Sequence, residues 1–276
     1  MNYRHAYHAG SHTDVFKHAV LAMLLEHLRG KPKPFTVLDT HAGAGRYDLT
    51  AVEAGKTGEA ADGIGRVIGK NLPAAEGYLG LIHRLNPDGL RIYPGSPAII
   101  AAFLRDEDRL IACELHEEEV AKLRRNFRGD GRVAIHHRDG FEAIGAFVPP
   151  PARRGMVFID PPYEKDDREA YRRVAEWMNA GLRKWPTGMF AAWYPLKDRV
   201  GIDEVRAGYS PDNPPTLAVE FLRAPIGGAG FAGSGMLIAN PPFGIESRLR
   251  ALGQELIAAF DAPKGSLTVD WWNPET

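Results

Sequence analysis

The stretch that decides the fold lies at residues 35–45 and reads Phe35-Thr36-Val37-Leu38-Asp39-Thr40-His41-Ala42-Gly43-Ala44-Gly45. Its first half is a short apolar run that ends in an acidic residue, and its second half is a glycine-rich turn. This order predicts a buried strand that leads directly into a tight loop, as in nucleotide-binding α/β folds. Asp48 stands where a dinucleotide-binding fingerprint has Gly or Ala, so a nucleoside ligand without a pyrophosphate fits the turn better than a dinucleotide.

Further apolar runs follow the glycine turn, and several of them end at an acidic residue. They cover residues 110–113 before Glu114, 133–135 before Asp139, 156–159 before Asp160, and then 189–193, 217–222 and 236–239. Helical apolar spacing appears at residues 15–28, 115–127, 168–182 and 245–260. Strands alternating with helices predict a mostly parallel sheet covered on both faces, and the helix-free segment 224–235 predicts an antiparallel hairpin near the end.

One spacing does not suit a plain doubly wound domain. The acidic residue that ends the second strand normally lies about 20 residues beyond the glycine turn, whereas here it is Glu114. Apolar positions between Tyr47 and Tyr93 suggest short helices. We therefore predict one domain over residues 1–276, with a helical subdomain inserted at residues 47–93. A helix should restart at Ser96-Pro97, with Ser96 as its cap.

Composition narrows the class of protein. The 276 residues include 34 Lys+Arg, 35 Asp+Glu and one cysteine, with a formal net charge of −1. A single cysteine excludes an intrachain disulfide framework and a multi-cysteine zinc site. The balanced charge argues against bulk electrostatic binding, so a nucleic-acid partner must meet a local patch. The apolar run at residues 19–25 is too short to span a bilayer, and residues 1–5 lack the apolar core of a signal peptide, so we expect a cytoplasmic location.

Two carboxylates at strand ends suit a bound nucleoside. Glu114, at the end of the predicted second strand, can accept both hydroxyls of a ribose. Asp139, followed by Gly140, could meet the amino group of an adenine ring, although Asp-Gly is also a common turn. Because both follow the glycine turn at the same sheet edge, we expect them to line one site.

The motif Asp160-Pro161-Pro162-Tyr163 is the strongest chemical signal. Asp160 and the Pro161 carbonyl oxygen can accept hydrogen bonds from the two hydrogens of an exocyclic amine, and Tyr163 offers a face for stacking. Holding the amine in this way favours its attack on an electrophilic methyl group. The similar motif Asn240-Pro241-Pro242-Phe243 follows a strand beyond the predicted cleft, and we assign it to structure.

Histidines crowd the start of the chain at His5, His8, His12 and His18. Their spacing could hold a metal, but no cysteine or carboxylate pair completes such a site, so we expect none. An N-terminal arm over the cleft is more natural, with Tyr3 and Arg4 available for stacking and phosphate contact. Lys17 and His18 would then lie near the ligand.

Together these motifs resemble the RlmJ family of 23S ribosomal RNA adenine-N6 methyltransferases. The resemblance runs over essentially the whole chain and is carried by Tyr3-Arg4-His5, His8-Ala9-Gly10, Asp14-Val15, Lys17-His18, residues 38–47, Tyr93-Pro94-Gly95-Ser96-Pro97, Asp160-Pro161-Pro162-Tyr163 and Trp193-Tyr194-Pro195. It implies a class I, Rossmann-like methyltransferase fold with an inserted helical subdomain and S-adenosylmethionine as cofactor. It also implies a monomer that acts on protein-free 23S ribosomal RNA.

Residue roles follow from the same resemblance. It implies cofactor contacts at His18, His41, Ser96, Glu114, Asp139, Gly140 and Asp160. Asp160 would also be the catalytic acceptor, and Tyr3 would lie on the substrate side. From the motifs themselves we add Arg4, Lys17, Pro161 and Tyr163 to the substrate side.

The resulting hypothesis is direct methyl transfer to N6 of an adenosine flipped into the Asp160 pocket. The same pocket would also suit a DNA adenine or a protein glutamine methyltransferase. A non-catalytic RNA-binding or assembly factor would need a broken site, and the intact Asp160 motif counts against it. The altered glycine fingerprint makes a dehydrogenase less favoured still.

Overall fold

A computed structural model describes residues 8–51, 57–163, 168–227 and 231–273. Its strands are β1 (Thr36–Asp39), β2 (Arg46–Asp48), β3 (Ile92–Pro94), β4 (Arg109–Glu114), β5 (Val133–His137), β6 (Gly155–Ile159), β7 (Met189–Leu196), β8 (Thr216–Leu222), β9 (Gly233–Ala239) and β10 (Ser266–Asn273).

The helices alternate with these strands along the chain. They are α1 (His12–Arg29), α2 (Glu59–Asp62), α3 (Ile64–Val67), α4 (Glu76–Leu85), α5 (Ser96–Phe103), α6 (Glu117–Asn126), α7 (Gly140–Phe147), α8 (Arg168–Lys184), α9 (Val200–Gly208) and α10 (Ile245–Ala259), with a 3₁₀ turn at Pro73–Ala75. Among the described residues, no helix is both long enough and apolar enough to cross a membrane.

The main sheet has 8 strands in the order β10-β8-β9-β7-β6-β1-β4-β5. Strands β7, β6, β1, β4 and β5 run parallel to one another. Strand β9 is antiparallel to both β7 and β8, and β10 is antiparallel to β8. The prediction of an α/β fold with a mostly parallel sheet is confirmed, and so is the hairpin near its end. The carboxyl ends of the parallel strands therefore meet at one edge.

Helix α1 is a central element. Ser11 caps its start by accepting a hydrogen bond from the Asp14 backbone N–H, which satisfies a group that the helix itself leaves unpaired. It is buried along most of its length and packs against α4, α5 and β9. Because it begins beside the sheet edge, its first turns bring Lys17 and His18 to the carboxyl ends of the strands.

The segment predicted as an insertion begins and ends in a small two-stranded sheet. Strands β2 and β3 pair antiparallel, with Arg46 opposite Pro94. Between them lie α2, α3, the 3₁₀ turn and α4, and the buried residues of α4 pack toward α1. The division of the chain at residues 47–93 stays a prediction.

Some elements differ from the sequence expectations. Gly95, in an extended conformation, is the cap of α5, while Ser96 and Pro97 already lie in its first turn, so the expected Ser96 cap is wrong. Strand β10 was not predicted at all. Asn240 follows β9 with φ of 52° and donates hydrogen bonds to the carbonyls of Pro186 and Gly188, which agrees with a structural role for its motif.

Candidate active site

The carboxyl ends of β1 and β6 form the floor of a cleft. The two strands pair in parallel with Asp39 opposite Phe158, so the residues after each strand emerge side by side. Strand β1 is followed by the glycine turn, and β6 is followed by Asp160. The chain leaves β1 toward β4 on one side and reaches β6 on the other, which is the position where open α/β sheets bind ligands.

The residues predicted to bind a cofactor lie around this one cleft. Its walls include His18, His41, Ser96, Glu114, Asp139, Gly140 and Asp160. Pro161, which we predicted on the substrate side, lines it as well. The structure thus brings together residues that come from six separate parts of the chain, and their roles toward a ligand stay predictions.

Glu114 is fixed by the glycine turn. One carboxylate oxygen accepts a hydrogen bond from the Gly43 backbone N–H at 2.8 Å, and the other accepts one from His116 at 2.8 Å. Each oxygen keeps a further lone pair. The carboxylate is therefore held in place and can still accept two hydroxyl groups from a ligand.

Asp139 has a local structural role in addition to its place in the cleft. It caps α7 by accepting hydrogen bonds from the backbone N–H groups of Phe141 and Glu142 at 2.8 and 3.2 Å. A Cβ at Gly140 would collide with the carbonyl of Thr40, so only glycine allows α7 to start this close to β1.

Arg173, one of a pair of neighbouring arginines that the sequence suggests only as a possible phosphate contact, also lines the cleft. Its guanidinium lies 3.5 Å from the second oxygen of Asp139 and 4.4 Å from the centre of the Phe141 ring. It comes from α8, and a pair of arginines in a charged helix is usually a solvated face, so the sequence gives no signal of a contact with Asp139. It therefore holds Asp139 and closes one wall of the cleft.

His41 is held neutral. The hydroxyl of Thr40 donates to the carbonyl of Phe158 at 3.0 Å and lies 2.8 Å from His41 Nδ1. Because the Thr40 hydrogen is already used, Nδ1 is the donor in the second contact. Desolvation in the cleft lowers the pKa of His41 to about 4, so its ring is uncharged at neutral pH.

Lys17 and Asp160 form a buried ion pair. Lys17 Nζ lies 2.7 Å from Asp160 Oδ2 and 2.8 Å from Asp14 Oδ1, with only 2% of its side chain exposed. The ammonium group also lies 4.9 Å from the centre of a Trp193 ring. Lys17 was predicted to face the substrate, and the structure shows that it fixes one oxygen of the candidate catalytic carboxylate.

Tyr163 is buried behind Asp160. Its hydroxyl donates to the Trp193 carbonyl at 2.8 Å, and its ring packs against Tyr171 and Trp193 at centre distances of 4.5 and 5.6 Å. It is not among the residues that line the cleft. Stacking of a base on this ring stays a prediction.

Asp39 is a further buried acid beside the cleft that was not assigned a role from the sequence. It is fully buried, and neither carboxylate oxygen accepts a hydrogen bond of good geometry from the described residues. Burial raises the pKa of Asp39 to about 7, with Asp160 adding to the rise while Ser96 and Lys17 oppose it. Its position before the glycine turn was the available signal.

The predicted N-terminal contacts fall mostly outside the described residues. Tyr3, Arg4 and His5 lie there, so the N-terminal arm is not described. His8 contacts Glu59 on α2 at 2.9 Å, and this hydrogen bond raises the pKa of the histidine. Within the described ranges, no group of three or more His, Cys, Asp or Glu side chains is placed to hold a metal.

The order of the strands, the glycine turn after β1 and the acidic cleft are together those of a Rossmann-like methyltransferase. A family model described as "Ribosomal RNA large subunit methyltransferase D, RlmJ" matches residues 32–273. Proteins called "Ribosomal RNA large subunit methyltransferase J" from Escherichia coli (strain K12) and Haemophilus influenzae are 38% and 40% identical, with 100% of each chain covered.

A solved structure shows the same likeness in three dimensions. The crystal structure of a Legionella pneumophila protein has a TM-score of 0.86 and 32% identity, and covers 95% of this chain and 98% of that one. The chain belongs to the RlmJ family of ribosomal RNA methyltransferases, and the resemblance inferred from the motifs is confirmed.

Proposed function

We propose that this protein transfers a methyl group from S-adenosylmethionine to N6 of an adenosine in 23S ribosomal RNA. The observation that carries this proposal is the placement of Asp160, held by Lys17 at the end of β6, in the same cleft as Glu114 and Asp139. A carboxylate for an amine thus shares one cleft with carboxylates suited to a nucleoside.

The chemistry of the cleft fits this cofactor. S-adenosylmethionine carries a positive sulfonium and an ammonium group, and the cleft and its floor hold the acids Glu114, Asp139, Asp160 and Asp39. The buried carboxyl of Asp39 has no hydrogen-bond partner of good geometry among the described residues. A dinucleotide would place a negative pyrophosphate among these acids, which is unfavourable.

Each part of the cofactor has candidate partners. Glu114 would accept the ribose hydroxyls, and Asp139 with Gly140 would lie against the adenine. His41, being neutral, can contact the cofactor without adding a charge that repels the sulfonium. Ser96 and His18 would contact the methionine part of the cofactor.

The protein groups around the target amine would act by position. S-adenosylmethionine supplies the electrophilic methyl group. Asp160 and the Pro161 carbonyl oxygen would accept hydrogen bonds from the two N6–H groups, which directs the nitrogen lone pair toward the methyl group. Lys17 keeps one oxygen of Asp160 in place throughout. Asp160 can take the proton that N6 loses and pass it to water.

Family membership supports ribosomal RNA over DNA or protein, and the intact Asp160 arrangement supports an enzyme over a non-catalytic RNA-binding factor. We propose action on protein-free 23S RNA by a cytoplasmic monomer without a metal ion. Tyr3 and Arg4 would contact the RNA.

Methyl transfer with radiolabelled S-adenosylmethionine tests the proposal. Protein-free 23S RNA, DNA and cell protein are offered separately, and the labelled nucleoside or amino acid is identified by chromatography. We expect N6-methyladenosine from the RNA only. Asp160→Asn should lower turnover at least 1,000-fold, an order-of-magnitude estimate for loss of the group that positions and deprotonates the amine. Asp106 is exposed and lies just before the amino end of β4, on the side of the sheet away from the cleft. The Asp106→Asn variant should behave as wild type.

Label in DNA or in protein instead of RNA would contradict the substrate assignment. Full turnover of Asp160→Asn would contradict the mechanism.

A further inference from the structure

A chain of buried polar groups links the segment between β2 and β3 to the cleft. The hydroxyl of Tyr78, on α4, lies 3.0 Å from that of Tyr93, on β3. The Tyr93 hydroxyl lies 2.8 Å from His18 Nδ1, and His18 lines the cleft. The three side chains are 0%, 0% and 1% exposed. We call this chain the tyrosine relay.

The hydrogens that the two tyrosines and His18 can donate decide the direction of each hydrogen bond in the tyrosine relay. Burial raises the pKa of both Tyr78 and Tyr93 well above the ordinary value, so each hydroxyl keeps its hydrogen. If His18 Nδ1 donated to Tyr93, only one of the two tyrosine hydrogens could be used between the two hydroxyls. The other hydrogen would have no acceptor among the described residues, which is costly for a buried hydroxyl.

The opposite direction satisfies every hydrogen of the relay. Tyr78 donates to Tyr93, and Tyr93 donates to His18 Nδ1. Nδ1 is then an acceptor, so the proton of the neutral imidazole is carried on Nε2. Since Nδ1 contacts Tyr93 and His18 lines the cleft, a ligand bound there would meet His18 through Nε2.

We propose that Tyr78 and Tyr93 are positioning residues that hold His18 as the Nε2–H tautomer, so that it donates a hydrogen bond to the carboxylate of the cofactor. The choice of this ligand group rests on the proposed function. Glu114 and Asp139 are placed for the ribose and adenine, which leaves His18 and Ser96 for the methionine end. The acids of the cleft suit the positive groups of the cofactor but repel its carboxylate. That carboxylate therefore needs a hydrogen-bond donor, and the Nε2–H of His18 would supply one.

Nuclear magnetic resonance of histidine labelled with ¹⁵N tests the tautomer without any cofactor. The signals of His18 are assigned by comparison with His18→Gln. We expect the Nε2–H tautomer in the wild-type protein. In Tyr78→Phe the hydroxyl of Tyr93 loses its fixed direction, so both tautomers should appear. Tyr93→Phe removes the partner of Nδ1 and should have the same or a larger effect.

Binding of two cofactor forms tests the ligand group. Tyr93→Phe should weaken S-adenosylmethionine about tenfold, as expected for a weakened hydrogen bond to a charged group. Decarboxylated S-adenosylmethionine lacks the carboxylate, so its affinity should change less than about twofold. Tyr209→Phe is the matched control, because it removes a buried hydroxyl bonded to Thr216 at 2.8 Å and remote from the cleft. It should alter neither the tautomer nor either affinity.

Three results would overturn the inference. They are a wild-type His18 with its proton on Nδ1, a tautomer unchanged in both relay variants, and an equal loss of affinity for the two cofactor forms. Failure of the wild-type protein to bind S-adenosylmethionine would instead contradict the proposed function, and the resonance measurement would still decide the tautomer.

Discussion

Lys17 is the residue on which the candidate catalytic carboxylate depends. It lies between Asp14 and Asp160, and only 2% of its side chain is exposed. In Lys17→Met two carboxylates would face each other without a cation, so we expect the free energy of unfolding to fall by about 3 kcal/mol. We also expect methyl transfer to fall at least 100-fold, an order-of-magnitude estimate for a displaced Asp160.

Urea unfolding and single-turnover rates measure these two effects. The control is Lys122→Met, which breaks an ion pair with Glu119 at a lysine that is 42% exposed. Its stability should change by less than about 1 kcal/mol. Equal stability of the two variants would contradict the role of Lys17.

Asp39 makes stability depend on pH. Burial raises its pKa from 3.8 to about 7, so between these values the folded protein keeps a proton that the unfolded chain has lost. Its contribution to stability is therefore complete below about pH 4 and is lost as pH rises to about 7. Asp39→Asn removes this dependence.

We expect the stability of Asp39→Asn relative to wild type to rise by about 2 kcal/mol from pH 5 to pH 8. Urea unfolding at several pH values of both proteins checks this. A difference that is flat over the range would show that Asp39 is ionised in the folded protein.

The sequence predicts the carboxylates of the cleft but not all of the side chains that hold them. Asp160, Glu114 and Asp139 each follow an apolar run, and that local signal places them at one sheet edge. The contact between Lys17 and Asp160 joins residues far apart in the sequence. It arises from the packing of α1 across the sheet, which no local pattern encodes.

The glycine turn after β1 is the element on which the cleft is built. Gly45 has φ of 80°, and a Cβ there would lie 2.9 Å from Phe127 and 3.0 Å from Leu123. Gly45→Ala combines backbone strain with a collision against α6, so we expect a loss of stability of about 2–3 kcal/mol. Cofactor affinity should fall as well.

Gly129→Ala is the control, because its φ is 87° but nothing lies within 4 Å of the added Cβ. Strain alone should cost about 1 kcal/mol there. Thermal unfolding and calorimetric titration of both variants separate strain from collision. Equal losses would mean that packing around Gly45 adjusts freely.

Strands that carry a local apolar run could be predicted from the sequence, and β10, which carries none, could not. Strand β6 is buried at all of its positions, and its apolar run was recognised. Strand β10 is an edge strand whose residues are exposed or half-buried, and only Val269 is buried. Its pairing with β8 stabilises it through the backbone, which leaves little pattern in the side chains.

Across the whole molecule, α1 joins parts that the chain keeps separate. Its first half brings Lys17 to Asp160 and His18 to Tyr93, while its flanks pack on α4, α5 and β9. The segment between β2 and β3 therefore contacts the cleft through the tyrosine relay. We therefore expect a substitution at Tyr78 to change cofactor binding although Tyr78 does not line the cleft.

Net charge sets how the molecule as a whole meets RNA. With a charge of −1, the protein has no excess of cations to hold a polyanion, so binding must depend on a few local contacts. For about two to four phosphate contacts, the logarithm of the affinity should fall with the logarithm of salt concentration with a slope of about −1.5 to −3.

Fluorescence anisotropy with a labelled fragment of protein-free 23S RNA, titrated from low to moderate salt, measures this slope. We expect weak binding that salt weakens further, together with fast release. A single-stranded DNA of the same sequence is the control. It should show a similar slope, because phosphate contacts do not distinguish the sugars. Tight binding that does not respond to salt would mean that stacking and base contacts dominate the interface, as in the aromatic platforms of single-strand binding proteins.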